Sequence, residues 1–478
     1  MNIFSKVTLF IFSGILYASS GFCQISVTVP IPLNNLEAFQ NPGKNWVIGS
    51  GASADFSRTD PIKILNGYGS VASMPVKNGS DLITKEDFGD LDLSLDFMLS
   101  RGATSGVYLQ GRYKIQLTDS WTKFDPTVAD MGGIGKKIAD SSSSFNGNAP
   151  LMNAARAPGL WQHLRVKFRA PKFDTRGTKI SNAYFEEIYL NDVLVQAHVE
   201  VSGPTQGSMF NDEKTKGPLI LNGAGTSVAF RNINAGSFPE IQMPASSTNP
   251  KTGRSPRVVN PVILNPDGET YTFRSFLNFE GKKRTYAVSV GSLNQTNYSY
   301  DVKQGALLQI WRGKFLDVTN MWDQRGEPQL AIPLGSVISL SATPTFATLA
   351  DENTFWPDSI AFDDMHNKGY TLDKDRIPTF RYEVAGYKVF DKISPQTDGK
   401  SLVRELIVTN APKDLFCRIA YAKVIESLGK GLYVIGDKSY YIQLNESIKA
   451  SVRKVTNGQE LIVAVTNAPS PLTYSIIW

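Results

Sequence analysis

The sequence has very little cysteine or histidine: two cysteines, Cys23 and Cys417, and three histidines, His163, His198 and His366. Cys23 ends an N-terminal segment laid out as a secretory signal. Lys6 supplies the positive charge and Val7 to Tyr17 the apolar core. Gly21 and Cys23 are the small residues at −3 and −1 of a cleavage before Gln24. Phe22 is too bulky for a lipoprotein signal, so simple cleavage is expected, with residues 1–23 removed. The mature chain then keeps one cysteine and can form no internal disulfide. It also has no Cys-x-x-Cys-His for haem attachment. Three scattered histidines offer no histidine-rich metal centre.

Other absences exclude whole classes. The signal's apolar run is too short for a bilayer span, and no later run is long enough. The expectation is an exported protein, periplasmic or secreted. There is no Gly-x-Ser-x-Gly elbow, no P-loop and no His-Glu-x-x-His. The formal net charge is +5, but no basic cluster is interleaved with aromatics, so nucleic acid is not an expected partner. Long helical patterns are few. Thirty-nine glycines, 26 prolines and 11% aromatics point instead to an all-β chain. With 19% charged and 41% hydrophobic residues it should fold, and 478 residues exceed one core, so two or three domains are expected.

One stretch organises the first half. Gly106 to Trp121 (GVYLQGRYKIQLTDSW) alternates: Val107, Leu109, Tyr113, Ile115 and Leu117 on one parity, Tyr108, Gln110, Arg112, Lys114, Gln116 and Thr118 on the other. Period two reads as a strand with one face on a core. The polar parity is a row of long hydrogen-bonding groups. It suits the concave face of a sandwich that grips a polyhydroxylated ligand, although an ordinary solvated face would alternate in the same way.

Further strands are expected at Leu91 to Leu99, Leu160 to Phe168, Phe185 to Val195 and Val228 to Ile233, with Asn191-Asp192 as a turn. In Leu160 to Phe168, His163, Arg165 and Lys167 lie opposite the apolar parity, and His163 could face the same groove as Arg112. Thr122 to Arg156 is a long Gly- and Ser-rich loop, with a run at Ser141 to Ser144. It follows the polar strand and is placed at one rim of the groove. Residues 28–234 form the first domain and 235–260, rich in Pro, Ser, Asn and Lys, a linker. The second β-rich domain spans 261–478, with strand-like runs at Thr285 to Val290, Ala306 to Trp311, Val337 to Ala342, Leu402 to Thr409, Leu432 to Ile435 and Leu461 to Thr466. A division is expected near Met365 to Pro378.

Ordered blocks in the first domain carry a resemblance. They are Phe88-Gly-Asp-Leu-Asp-Leu, Ser105 to Asp119 (SGVYLQGRYKIQLTD), Pro158-Gly-Leu-Trp-Gln162, Phe168-Arg-Ala-Pro171, Tyr189-Leu-Asn191, Gly203-Pro204, Gly217-Pro-Leu219 and Val228 to Ile233 (VAFRNI). From about Asn35 to Ile233 the chain resembles the 3-keto-disaccharide hydrolase family, whose fold is a laminin-G or concanavalin-like jelly-roll β-sandwich. The resemblance implies action on glycosides already oxidised at C3. A base removes the C2 proton, the enolate is stabilised, the C1 substituent leaves and water adds. Under it Arg112 and Lys114 would serve as the electrophile and Asp119 as base or metal ligand. Tyr108, Gln110, Gln116 and His163 would hold the sugar. A divalent metal is compatible with the resemblance.

Two departures from the family pattern are visible. Its central strand commonly has a glutamate where this chain has Lys114. Its Gly-Asp-His-Gly before the last strand is here Gly223-Ala-Gly-Thr-Ser227. A non-catalytic carbohydrate-binding protein is therefore the alternative reading. The second half resembles a β-domain that accompanies exported sugar-oxidising and cytochrome-bearing proteins, on Arg274-Ser-Phe276, Ala287 to Gly291, Trp311 to Asp317 (WRGKFLD), Trp322, Arg325-Gly326 and Pro333-Leu-Gly335. It implies a functional partnership with a sugar dehydrogenase. Trp311 or Trp322 could stack a sugar. A buried tryptophan beside a structural Arg–Asp pair is the plainer reading.

Overall fold

The computed structural model describes residues 28–138, 146–237, 260–322, 329–351, 353–466 and 470–478. The signal segment, the Ser141 to Ser144 run, Arg325-Gly326 and most of the expected linker lie outside the described residues. The chain is almost entirely antiparallel β-structure. Thr319–Trp322 is the one helix among the described residues, and none is long and apolar enough to cross a membrane.

The first half is a two-sheet sandwich. Its large sheet runs, in spatial order, Val193–Val201, Ala183–Leu190, Gln162–Arg169, Leu91–Leu99, Val228–Gly236, Lys63–Ser73 and Trp46–Ser53, with Val29–Pro30 beside Val228–Gly236. Its small sheet runs Phe39–Gln40, Leu82–Phe88, Gly217–Leu221, Thr104–Leu109 and Tyr113–Thr118. Alternation decides what lies between them. Leu91, Leu93, Leu95, Phe97 and Leu99 meet Val107, Leu109, Tyr113, Ile115 and Leu117 in one core. The ring of Tyr113 sits 5.3 Å from that of Phe168. The Asn191-Asp192 turn is present, with φ of 50° and 65°, the left-handed pair that closes a tight hairpin.

The stretch read as one strand is two. Thr104–Leu109 and Tyr113–Thr118 form a hairpin, pairing Leu109 with Tyr113, Tyr108 with Lys114 and Gly106 with Gln116. Gln110 and Gly111 take φ of 53° and 66°, and the Arg112 N–H donates to the Leu109 carbonyl at 2.9 Å. The connecting loop is odd in length, so even-numbered residues stay on one face through the reversal. A hairpin and a continuous strand therefore give the same alternation, and only the turn residues are misplaced by the simpler reading.

The second half holds three sheets. Six strands from Ile263 to Ser339 form one, and Phe346–Thr348, Leu415–Ala422, Gly458–Ala464 and Ala450–Val455 another. An eight-stranded sheet runs from Met365–Leu372 to Ile425–Gly429. Where a division was expected, Met365–Leu372 and Pro378–Val384 form a hairpin of that last sheet. Trp311 is fully buried and donates Nε1–H to the Lys314 carbonyl, whereas Trp322 is half exposed. Arg312 and Asp317 do not pair: Asp317 accepts from the Thr319 N–H, and Arg312 reaches into the first half.

That reach joins the halves. Trp121, Ala157 and Leu160 belong to the core of the second half. Trp121 donates Nε1–H to the Trp478 carbonyl at 2.5 Å, and Arg312 lies against both indoles, 5.7 Å and 5.1 Å from the ring centres. Tyr441 donates its hydroxyl to the Pro158 carbonyl at 3.0 Å, and Arg231 forms a two-point ion pair with Asp437.

Candidate functional site

The outer face of the small sheet carries the polar parity of the hairpin. Antiparallel register sets its rows. Lys114 neighbours Tyr108, which neighbours Ile220. Gln116 neighbours Gly106, whose carbonyl accepts from the Asn222 N–H at 2.9 Å. Asn222 leads to Asp81, whose Oδ1 accepts from Asn222 Nδ2 at 2.8 Å, Gly223 N at 2.9 Å and Ala224 N at 3.0 Å. The face thus holds an amine, a phenol, a carboxylate and two amides.

Gly106 is what lets Lys114 lie down across this face. A Cβ at position 106 would stand 2.3 Å from Lys114 Cε. The amine ends 5.2 Å from the centre of the Tyr108 ring, a cation–π contact. Among the described residues its Nζ makes no hydrogen bond or ion pair. Burial holds the Lys114 ammonium below its ordinary pKa, and the charge of Asp81 opposes that shift. Burial, helped by Asp81, pushes the Tyr108 phenol up to about 12, so it keeps its proton at neutral pH.

Two loops wall the face. The described part of the long loop after the hairpin runs along its edge. The Gln116 N–H donates to the Gly133 carbonyl at 2.8 Å, Gly132 to Gln116 at 2.8 Å and Gly135 to Lys114 at 3.1 Å. The second wall starts at Thr205, whose Oγ1 accepts the Lys114 N–H at 2.8 Å, and passes Gly207, against the Tyr108 hydroxyl.

Of the residues singled out in the sequence, Tyr108, Lys114 and Gln116 come together here. Gln110 and Arg112 do not, because they form the turn. Gln110 donates Nε2–H to the carbonyls of Thr215 and Phe88. Arg112 is 2% exposed. It donates to the Asp212 carbonyl and carboxylate, each at 2.6 Å, and to the Gln110 carbonyl at 2.8 Å, with Phe210 packed on its guanidinium. That hydrogen bond holds the Asp212 carboxyl below the usual carboxylate range. Arg112 is therefore a clamp between turn and loop.

Asp119 lies past the other end of the strand, about 20 Å from Arg112 at ~3.3 Å per residue. It accepts from the Gly102 N–H and lines a separate cleft of about 570 Å³ with Phe56, Arg101, Trp121, Lys123 and Lys400. His163 is on the outer face of the other sheet, its Nδ1 2.8 Å from Asp96 Oδ1. Asp81 and Asn222 were missed. Neither sits in an alternating run, and only strand register brings them beside Gly106. Among the described residues no group of three or more His, Cys, Asp or Glu side chains converges to hold a metal.

Three solved structures are similar to part of this chain. Two crystal structures of candidate glycosyl hydrolases from Parabacteroides distasonis ATCC 8503 are similar. One is 22% identical over 48% of this chain and 100% of its own, with a TM-score of 0.32. The other is 18% identical over 44% and 99%, with a TM-score of 0.29. The carbohydrate binding module CBM66 from Bacillus subtilis is 14% identical over 40% and 96%, at 0.20. No curated protein matches the chain. The family model of the 3-keto-alpha-glucoside-1,2-lyase-like domain matches residues 34–235, which are the sandwich just described; over that part the chain is similar to this family.

Proposed function

We propose that the first domain cleaves 3-keto-glycosides on the outer face of its small sheet, by C2 proton abstraction, elimination of the C1 substituent and hydration. The observation that carries this reading is the cluster of Lys114, Tyr108 and Asp81 around Gly106. The three supply what the reaction needs. Asp81, steadied on one oxygen by three donors, presents the other as base. Lys114 engages the C3 carbonyl, where negative charge would otherwise develop. Tyr108, protonated at neutral pH, gives a proton to the departing oxygen. Gln116 and Asn222 hold sugar hydroxyls. The N-terminal segment directs export, and an oxidation of the glycoside at C3 must precede this step, which a sugar dehydrogenase would supply.

The test is NMR in deuterated water with a 3-keto-α-glucoside. Wild-type protein exchanges the C2 proton and releases free sugar. Lys114→Met lowers exchange by about 100-fold, while calorimetric sugar affinity stays within about tenfold. A second reading, carbohydrate binding without turnover, is favoured by one observation: Gly223 and Ala224 offer Asp81 only backbone N–H groups, and Gly223 to Ser227 contains no acid or histidine. Binding with no exchange on any 3-keto-glycoside, with or without divalent metal, would establish it.

A further inference from the structure

We propose that Lys114 is a covalent catalyst, condensing with the C3 ketone to an iminium, rather than a charge that only polarises it; the inference rests on the reading above that the ligand is a 3-keto-glycoside. Three other lysines of this domain are paired with carboxylates. Lys123 meets Asp130 at 2.6 Å, Lys179 meets Glu213 at 2.5 Å and Lys167 meets Glu187 at 3.7 Å. Lys114 has an aromatic face where those have a carboxylate, and its stem is laid flat by a missing side chain at 106. Its backbone is fixed on both sides, to Thr205 and to Gly135. A fixed, partly desolvated amine that no carboxylate hydrogen-bonds is poorly suited to be a permanent cation. It is well suited to be a nucleophile, and lysine amines attack carbonyl carbon in this way. Burial shifts the same amine toward its neutral form, the form that attacks.

The chemistry closes. The lone pair of the neutral Nζ adds to C3, and the carbonyl oxygen takes one proton from the amine and one from solvent, which the final hydrolysis returns, and leaves as water, giving the iminium. The iminium acidifies C2–H more strongly than the ketone does. Asp81 takes that proton, and the C–H electrons form the C2=C3 bond of an enamine. The enamine electrons return to form C1=C2 as the C1–O bond breaks, and Tyr108 protonates the leaving oxygen. Water adds at C1, restoring the Tyr108 proton, and Asp81 returns its proton to C2. A second water hydrolyses the iminium to ketone and free amine. One water is released and two are consumed, so the net reaction is hydrolysis, with no oxidant or reductant.

Borohydride separates the cases. The full-length protein is incubated with a 3-keto-α-glucoside and sodium borohydride, then analysed by intact mass and peptide mapping. One sugar is expected per chain, on Lys114, with loss of activity. The parent glucoside, which has no ketone, gives no adduct. Lys114→Arg keeps the positive charge but cannot form the iminium. With its fold checked by circular dichroism, it should lose turnover by about 100-fold. If wild type exchanges the C2 proton and releases sugar but traps no adduct, and Lys114→Arg retains turnover, the covalent role falls and the cleavage reading stands. If neither exchange nor adduct is seen, both fall. Labelling spread over surface lysines, and unchanged in Lys114→Arg, also overturns the covalent role.

Discussion

Arg312 donates Nη1–H to the backbone carbonyl of Trp121 at 2.7 Å, while its guanidinium lies against the indole of the same residue. The two belong to different halves of the chain. Nη2 donates to the Gly399 carbonyl at 2.6 Å, and Trp478 lies on the guanidinium as well. Burial lowers the Arg312 pKa to about 10, opposed by the charge of Asp398, and the arginine remains a cation at neutral pH. Arg312→Ala leaves two carbonyl oxygens without their donor, each worth ~1–3 kcal/mol, and opens a cavity where the halves meet. The expected result by calorimetry is a lower Tm, with one unfolding transition becoming two. An unchanged single transition would show that the halves are coupled elsewhere.

Arg112 gives the second prediction. Its clamp on Asp212 uses the fork of the guanidinium, which a lysine cannot reproduce. Arg112→Lys should cost about 2–4 kcal/mol in urea unfolding and speed amide exchange in residues 205–216 before global unfolding. If this residue acted on sugar alone, stability and exchange would stay at wild-type values.

Gly106→Ala tests the lysine's resting place. The added methyl meets Lys114 Cε and the Ile115 carbonyl. The stem of Lys114 can move aside, so the stability cost should be of order 1 kcal/mol. C2 exchange should nevertheless fall by about tenfold or more, because position governs reactivity. Wild-type exchange in a folded Gly106→Ala would separate Lys114 from the chemistry.

The fourth prediction concerns acid. Burial raises the Asp96 pKa, but hydrogen bonds from His163 and Asn232 and the charge of Arg231 outweigh it and hold the carboxyl below its usual range. A carboxyl depressed in the folded state stabilises above its unfolded value, near ~3.9, and that stability is lost as pH falls through the folded value. Between about pH 5 and pH 2, Tm should fall less steeply in Asp96→Asn than in wild type. Parallel curves would show that Asp96 has no linkage role.

Much of the fold was legible because it rests on period two. Leu91–Leu99 and the Asn191-Asp192 turn are where alternation and turn chemistry put them. The site was legible only in part. Lys114, Gln116 and Tyr108 shared a face as expected, since parity survives the hairpin. Gln110 and Arg112 did not, since an odd loop leaves no trace in the alternation. Asp81 was invisible because its partners are set by register across neighbouring strands, a relation between distant segments. The same holds for Trp121, Ala157 and Leu160. They look like ordinary first-half residues until the second half is seen packed on them.

Along Tyr113–Thr118, buried and half-buried residues alternate without exception. Tyr113, Ile115 and Leu117 hold the sandwich together, while positions 114, 116 and 118 touch the core hardly at all. Under the proposed reading, stability and reactivity thereby fall to different residues of a single strand. Such a scaffold is evolvable in a specific sense. Exchanging an amine for an amide at position 114 is then expected to change chemistry more than folding, so new chemistry can be tried there without first rebuilding the protein.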